Sequence, residues 1–322
     1  MEVWHRNIQM LVDDIDECIR SKTDDGMSLR YLADRLGYSE FYVSRKFKEI
    51  SGMQFREYLR LRRLAFALKR LRDTDEGILD IALDYGFSSN EAFARAFRDA
   101  YGITPSEYRR NPGPVAIRTL LRPFDCYIMN SGGYRMNSTA SDVQVYFVNI
   151  PAHKYLHVRN YESIGYWDFW QKQSLKPGQD CETICGLLDS IKGKLDDNGG
   201  NEANSGSGQL MGFINEPAGR ICSWGIPLAE SYGVRLSADY EGPVPEQMLL
   251  MDVPEGEYIV FEHGPFDYAD ENCAVEEKIE AAMKEFDYAS SGYRLDTAQG
   301  RVFYFYHDCT RFWKYVRPVI RV

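Results

Sequence analysis

Leu32-Ala33-Asp34-Arg35-Leu36-Gly37-Tyr38-Ser39 returns, 49 residues on, as Ile81-Ala82-Leu83-Asp84-Tyr85-Gly86-Phe87-Ser88. Arg45, Phe47, Gly52 and Tyr58 return 50 residues on as Arg95, Phe97, Gly102 and Tyr108. Each copy reads as a short helix, a turn containing Gly, a Ser at an N-cap position and a second helix. That is a helix-turn-helix, twice in register in one chain. In this motif the second helix enters the major groove of a duplex, with residues near its N-terminus facing base edges.

The first candidate reading helix starts at Ser39 and the second at Ser88. On the first, Val43, Phe47 and Ile50 share an inward face, leaving Phe41, Tyr42, Ser44, Arg45 and Lys48 outward. On the second, Phe93 and Phe97 face inward, leaving Asn90, Glu91, Ala94, Arg95 and Arg98 outward. Arg can bond the guanine O6/N7 pair, Asn the adenine N6/N7 pair, and a carboxylate can accept from cytosine N4. Arg45 and Arg95 stand at equivalent positions of the repeat and are assigned to base edges, Lys48 and Arg98 to phosphate. Between the units, Leu61, Leu64, Ala65, Leu68 and Leu71 repeat at helical spacing, predicting a strut from about Phe55 to Arg72. Its basic residues, Arg60, Arg62, Arg63, Lys69, Arg70 and Arg72, cannot all face one way, so some are assigned to phosphate and others to solvent.

Charge follows the same division. The chain carries a net charge of −10, which taken whole argues against nucleic acid, yet residues 1–112 hold 19 basic and 19 acidic side chains. Between Ser39 and Arg72 there are ten basic residues against three acidic ones. A basic stripe within a neutral part, joined to an acidic remainder, is a patterned charge that seeks phosphate at one end of the chain.

Asn111-Pro112-Gly113-Pro114 ends the helical region. The organisation read from these signals is a tandem helix-turn-helix DNA-binding domain at 1–112, a linker at 113–142 and a strand-rich domain at 143–322. The linker contains Ser131-Gly132-Gly133 and Asn137-Ser138-Thr139-Ala140-Ser141. From Val143 the period becomes two, with Val145 and Phe147, then Tyr155, His157 and Arg159. A second repeat, at an offset of 103, aligns Pro151 with Pro254 and Tyr155 with Tyr258. In each half a strand, a Pro turn and a strand lead to a helix, then to two more strands: Leu210–Ile214 and Ile221–Leu228, and Arg301–Tyr306 and Tyr315–Val322. The expected architecture is multidomain: an all-α first domain and an α+β second domain made of a duplicated strand-helix-strand unit. A cleft between the halves is the natural ligand position. Residues 193–208, rich in Gly, Asn and Ser, read as a surface loop.

Residues 28–110 resemble the DNA-binding domain of the AraC/XylS family of bacterial transcription regulators. The matching residues are Leu32-Ala33, Gly37-Tyr38-Ser39, Phe47-Lys48, Gly52, Tyr58-Leu59 and Arg62. They continue as Ile78, Ile81-Ala82, Tyr85-Gly86-Phe87, Phe97, Tyr101-Gly102-Ile103-Thr104-Pro105-Ser106 and Tyr108-Arg109. The resemblance implies sequence-specific binding to promoter DNA and recruitment of RNA polymerase, with the base-contacting positions of the first reading helix falling on Phe41 and Arg45. Where a related subgroup has Trp, this chain has Phe41, so the sequence read differs.

Residues 143–322 resemble a GyrI-like effector-binding domain, through the duplicated pattern, Pro254-x-Gly256-x-Tyr258 and Tyr315-Val316-Arg317-Pro318-Val319. That resemblance implies a cleft for a lipophilic, often cationic, small molecule, with aromatic walls and a Glu on a central strand. Here the strand reads Tyr304-Phe305-Tyr306, with Tyr at the position of the Glu, and Glu262 is the candidate charge from the adjacent strand. Candidate effector-binding residues are Tyr155, Trp167, Trp170, Trp224, Tyr258, Glu262, Tyr268, Tyr304 and Tyr306. Trp167 and Trp170, three apart on a short helix, are the favoured pair. Aromatics number 15 in residues 1–112 and 29 in the remaining 210, so aromatic richness alone does not mark the ligand domain.

The expected function is a ligand-responsive, DNA-binding transcription regulator, an activator, whose partners are double-stranded DNA, RNA polymerase and a small-molecule effector. Two alternatives are a C-terminal protein-interaction module without a small ligand, and a hydrolase of the GyrI-like kind. The expectation is not an enzyme, with no cofactor and no metal: Cys181-x-x-x-Cys185 lacks a companion pair at zinc spacing, and the five histidines are scattered. No apolar stretch approaches a membrane span, and seven dispersed cysteines fit reduced thiols in the cytoplasm.

Overall fold

The computed structural model describes residues 2–22, 28–123, 143–195, 208–222, 225–264, 266, 268–307 and 313–322. The chain divides into two units, residues 1–132 and 133–322.

The first unit is all-α. Its helices are α1 (Glu2–Ser21), α2 (Leu29–Leu36), α3 (Glu40–Ser51), α4 (Phe55–Asp73), α5 (Ile78–Asp84), α6 (Asn90–Tyr101) and α7 (Pro105–Arg110). Local chemistry sets their ends. The Ser28, Ser39 and Ser89 hydroxyls accept from the backbone amides of Tyr31, Tyr42 and Ala92, each three residues on. Thr104 and Glu107 close a reciprocal capping box at α7. At Gly37 the backbone enters the left-handed region (φ 71°) and ends α2, as only Gly does without strain.

One core joins both helix-turn-helix units. Val43 and Phe47 of α3, Phe93 and Phe97 of α6 and Leu64, Ala65, Leu68 and Leu71 of α4 are all closed off from solvent within it. Along residues 41–50 and 91–100 the order of buried, half-buried and exposed positions is identical residue for residue. The repeat in the sequence is therefore a repeat in three dimensions. The second reading helix starts one residue later than expected, however. Its cap is Ser89, not Ser88. The 49-to-50 change of offset is thereby explained, because the extra residue lies in the second turn. Ile50 is half-buried and not fully inward.

One further finding bears on the sequence reading of this unit. Residues 115–121, assigned to the linker, pack on its core: Ile117 is 2 % exposed, and Val115, Leu120 and Leu121 lie against the same cluster. The Leu121 carbonyl also accepts from Gln9 of α1 (3.3 Å). The Gly- and Ser-rich parts of the expected linker, Ser131–Gly133 and Asn137–Ser141, lie outside the described residues.

The second unit is α+β. In order it contains β1 (Gln144–Ile150), β2 (His153–Asn160), α8 (Tyr166–Gln173), α9 (Cys181–Ser190), β3 (Gln209–Ile221) and β4 (Pro227–Ser237). Then come β5 (Leu249–Val253), β6 (Gly256–His263), α10 (Tyr268–Glu285), α11 (Tyr288–Ser291), β7 (Tyr293–Leu295), β8 (Val302–His307) and β9 (Trp313–Arg321). The strands form one antiparallel sheet in the order β1-β6-β9-β8-β3-β4-β2-β5, with β7 on β9. Exchanging β1, β2, β3 and β4 with β5, β6, β8 and β9 turns this order into its own reverse, so the duplicated unit is built around a pseudo-two-fold axis between β3 and β8. Each half lends its first strand to the other: β1 pairs with β6, and β5 with β2.

The expected strand Ile221–Leu228 is instead a hairpin. Cys222 N–H donates to the Ile226 carbonyl (2.9 Å), and Gly225 sits at φ 76° between the ends of β3 and β4. Alternating apolar residues on both sides of that turn mimic a continuous strand. Of the loop expected at 193–208, residues 196–207 lie outside the described residues.

Candidate nucleic-acid interface

The exposed surface of α3 carries Phe41, 77 % exposed, with Arg45 and Lys48. Ser44 is half-buried. Tyr42 is also half-buried, because its ring packs edge-on against Trp4 of α1 (5.2 Å between centroids) and against Tyr38 of the turn (5.4 Å). The Arg45 guanidinium lies over the Tyr42 ring at 5.2 Å. Tyr42 thus serves as a platform for Arg45. Trp4 is a residue that the repeat could not reveal, since α1 has no second copy.

On α6 the side chains of Asn90, Glu91, Arg95 and Arg98 are exposed. The Glu91 carboxyl is held below the usual carboxylate range by its own backbone amide and the Ser89 hydroxyl, so the charge is turned toward the start of the helix. Ala94 is half-buried. The strut, α4, runs 19 residues, about 28 Å at 1.5 Å per residue.

The basic stripe of α4 is not the free surface that its linear charge suggested. Arg62 is 5 % exposed and bonds the Asp16 carboxylate through both Nε (2.8 Å) and Nη2, while its Nη1 donates to the Arg118 carbonyl. Arg60 bonds both oxygens of Glu57 at 3.0 and 2.8 Å. Arg70 reaches Glu76 at 2.5 Å and Asp84 at 3.1 Å, and Arg72 reaches Asp73 at 2.6 Å. Four cations assigned to phosphate or solvent are therefore compensated inside the unit. Three of these four cations, Arg62, Arg70 and Arg72, draw on carboxylates outside the window Ser39–Arg72, which a linear count does not see.

Two helix-turn-helix units on a shared core, each presenting a polar helix with an exposed Arg, define a DNA-binding regulator of the helix-turn-helix class. A helix-turn-helix domain model matches residues 32–111. Over 102 residues, 32 % of this chain and 92 % of the other, the sequence is 40 % identical to the regulatory protein SoxS of Salmonella typhimurium. It is 38 % identical over 102 residues to the right origin-binding protein of Escherichia coli, covering 32 % of this chain and 35 % of that one. Among solved structures, the C-terminal domain of EcmrR is 12 % identical, covering 56 % of this chain and 99 % of that one, with a TM-score of 0.30. The chain belongs to the AraC/XylS family of transcription regulators.

In the second unit the expected effector residues fall on opposite faces of the sheet. Tyr155, Tyr258, Glu262, Tyr304 and Tyr306 share one face, as strand alternation and the register require. Their rings pack together, Tyr155 to Tyr304 at 5.7 Å and Tyr258 to Tyr304 at 6.4 Å, with Arg235 over Tyr304 at 5.4 Å. Tyr155, Tyr258 and Tyr304 are fully closed off from solvent, and Tyr306 is nearly so. Glu262 accepts from the Tyr146 hydroxyl and meets the Lys314 ammonium at 3.3 Å.

Trp167 and Trp170 lie on α8, against the other face, where Trp170 packs among Leu156, Val158 and Val234. The sheet runs between the two groups, so the residues expected to line one cleft cannot all do so. Trp224 lies outside the described residues, as does the side chain of Tyr268, whose backbone begins α10.

A carboxylate not singled out in the sequence stands on the α8 side. Glu230 of β4 is 6 % exposed; its Oε1 accepts from the Gly165 amide (2.8 Å), and among the described residues its Oε2 has no hydrogen-bond partner. The Trp170 indole nitrogen, buried nearby on the same side of the sheet, likewise has none. Tyr232, two residues beyond Glu230 on the same face, packs against Trp170 at 5.0 Å. Nothing in the local sequence Pro227–Ser237 marks Glu230, since alternation alone leaves its face and depth undecided.

Two histidines are buried on the opposite face. His153 donates from Nδ1 to the Pro151 carbonyl (2.8 Å) and accepts at Nε2 from the Tyr304 hydroxyl (2.6 Å). His157 donates from Nδ1 to the Tyr155 carbonyl (3.0 Å) and accepts at Nε2 from the Arg159 guanidinium (2.9 Å). Both sets of bonds suit a neutral ring. Burial pushes the imidazoles down, to about 4 for His153 and about 3 for His157. An unfolded chain titrates near 6.5, so between there and about 4 the unfolded state binds more protons. Stability is complete above that window and falls as acid is added through it. Urea unfolding of the second unit at two pH values should show a loss of about 2 kcal/mol per histidine between pH 6.5 and 5. The loss should shrink in His153→Gln and His157→Gln; a flat profile would show that the rings are solvated.

Proposed function

We propose that this chain is a ligand-responsive transcription regulator that reads duplex DNA through α3 and α6 and senses a small lipophilic or aromatic molecule with its second unit. The observation that carries the reading is the matched exposure of residues 40–50 and 90–100, which presents Phe41 and Arg45 on one helix and Asn90 and Arg95 on the other. Successive major-groove faces lie about 34 Å apart along one side of a duplex, a spacing on the scale of the strut of about 28 Å that joins the two units. Glu91, Lys48 and Arg98 complete the interface, Glu91 toward cytosine and the cations toward phosphate. Ser44 and Tyr42 support it from the half-buried side. One chain then does what a dimer usually does, and the result is recruitment of RNA polymerase in the cytoplasm.

For the sensor, the GyrI-like reading is supported by the duplicated halves and by the aromatic group of Tyr166, Trp170 and Tyr232, which Trp167 joins through Tyr166, on the side of the sheet that holds the buried, half-satisfied Glu230. A carboxylate among rings suits an organic cation. Selection of bound sites from random duplexes, with and without a panel of lipophilic cations and neutral aromatics, tests both parts. A defined motif with steep salt dependence is expected, together with a ligand-induced change that Trp167→Ala weakens. No enriched motif would overturn the DNA reading. An enriched motif without any ligand response would favour a protein-interaction role for the second unit, to which the exposed Ile164 and Leu175 would then belong.

A further inference from the structure

Cys181 and Cys185 open α9, four residues apart on one helical face, and their sulfurs stand 3.7 Å apart. Both are partly accessible. Tyr166 and Tyr232 pack on the same apolar cluster as both cysteines. The other described free cysteines, Cys18 and Cys222, lie outside α9. Three outcomes are open to a dithiol: a disulfide, a multidentate metal site, or chelation of a centre that needs two thiols only.

Geometry decides among them. Residues four apart on a helix hold their Cβ atoms about 5–6 Å apart, whereas a disulfide needs about 3.5–4.5 Å. Closing the bond would unwind the first turn of α9 and break the cap that Asp180 makes to the Thr183 amide (2.9 Å). A tetrahedral metal needs four ligands, and among the described residues no group of three or more His, Cys, Asp or Glu side chains comes together. An atom inserted between the sulfurs spans the gap with the helix intact. A trivalent metalloid already carrying one substituent needs just these two thiols.

We propose that Cys181 and Cys185 form a chelating dithiol site for a thiophilic trivalent metalloid, with an organoarsenical(III) as its test ligand. The step conserves oxidation state. Arsenic in phenylarsine oxide stays at +3, two As–S bonds form, the As–O linkage breaks, and its oxygen leaves as water with the two thiol protons. The two sulfurs share one hydrogen bond, so loss of the first proton leaves a thiolate held by the remaining thiol, and that thiolate attacks first.

The test titrates the full chain with phenylarsine oxide, followed by Trp fluorescence and by alkylation with peptide mapping. One equivalent should protect Cys181 and Cys185 together and perturb Trp170, whose ring lies 6.3 Å from Tyr166 and 5.0 Å from Tyr232. Cys181→Ser or Cys185→Ser should weaken binding on the order of 100- to 10,000-fold, because the second bond loses its intramolecular advantage. Cys222→Ser should bind as the parent does. Peptide mapping of the parent needs no substitution and stands even where a Ser variant folds poorly. Parent-like affinity in both Ser variants, or alkylation of Cys181 and Cys185 undiminished in the loaded parent, would overturn the site. So would a Cys181–Cys185 disulfide, formed with diamide, that leaves the helical circular dichroism unchanged.

Discussion

Asp16→Ala is expected to lower the stability of the first unit by about 3–5 kcal/mol, the range for removing one partner of a buried ion pair. The Asp16 and Arg62 side chains are 9 % and 7 % exposed. The guanidinium uses Nε and Nη2 on Asp16 and Nη1 on the Arg118 carbonyl, and it also lies over the Phe66 ring at 5.1 Å. Removing the carboxylate strands a cation that can neither reach water nor shed its proton. Burial, not the presence of an ion pair, sets the size of the effect. Glu57→Ala, which frees Arg60 in a pair with 45 % and 34 % exposed side chains, should cost under about 1 kcal/mol. Replacing both partners, Asp16→Leu with Arg62→Met, should recover most of the loss, since two apolar groups leave no charge behind. Urea unfolding of the four proteins measures this. An Asp16→Ala cost as small as that of Glu57→Ala would mean that α1 does not seal the pair.

The second large effect is on DNA. Arg45→Ala and Arg95→Ala should each weaken binding to the selected site by about 1–3 kcal/mol and relax specificity at one base pair. The two residues stand on separate reading helices, so the double variant should lose the sum, about 2–6 kcal/mol. Lys48→Ala should weaken all sequences alike and lower the salt slope by about 1. Arg60→Ala should barely move that slope, because Glu57 already neutralises the guanidinium within the helix. Competition binding across a salt series reads all five variants. If both Arg-to-Ala reading-helix variants bind as the parent does, α3 and α6 are not the reading helices.

The two effects differ in how far they could be seen in the chain itself. Arg45 and Arg95 were legible because a helix-turn-helix is built from neighbours: caps three residues apart, apolar positions three and four apart, Gly at a turn. The pairing of Arg62 with Asp16 was not, because 46 residues separate the partners. A gap of 14 residues likewise hid Asp84 from Arg70, and such separations concealed how much of the basic stripe is compensated. Trp4, which holds Tyr42 beneath Arg45, lies on a helix outside the repeat.

In the second unit, the offset of 103 residues and its two Pro turns indicated a duplicated α+β unit, and each half has two strands, two helices and then its closing strands, with β7 extra in the second. The exchange of first strands between halves was invisible, since strand alternation fixes which residues share a face and not which strand lies alongside. Alternation also placed Tyr155 and Trp170 no nearer or farther than any other aromatic pair. Only the sheet, passing between them, showed that they cannot share a cavity.

By itself, then, the sequence determined the helices of the first unit, the two repeats and the exposed Arg of each second helix, because each follows from contacts within a turn or two. The tertiary structure alone decided which charges remain available, what supports Arg45, where Glu230 is buried and how the sheet divides the aromatics. Those outcomes depend on groups brought together from distant parts of the chain, and their energies come from desolvation and packing that no short window contains.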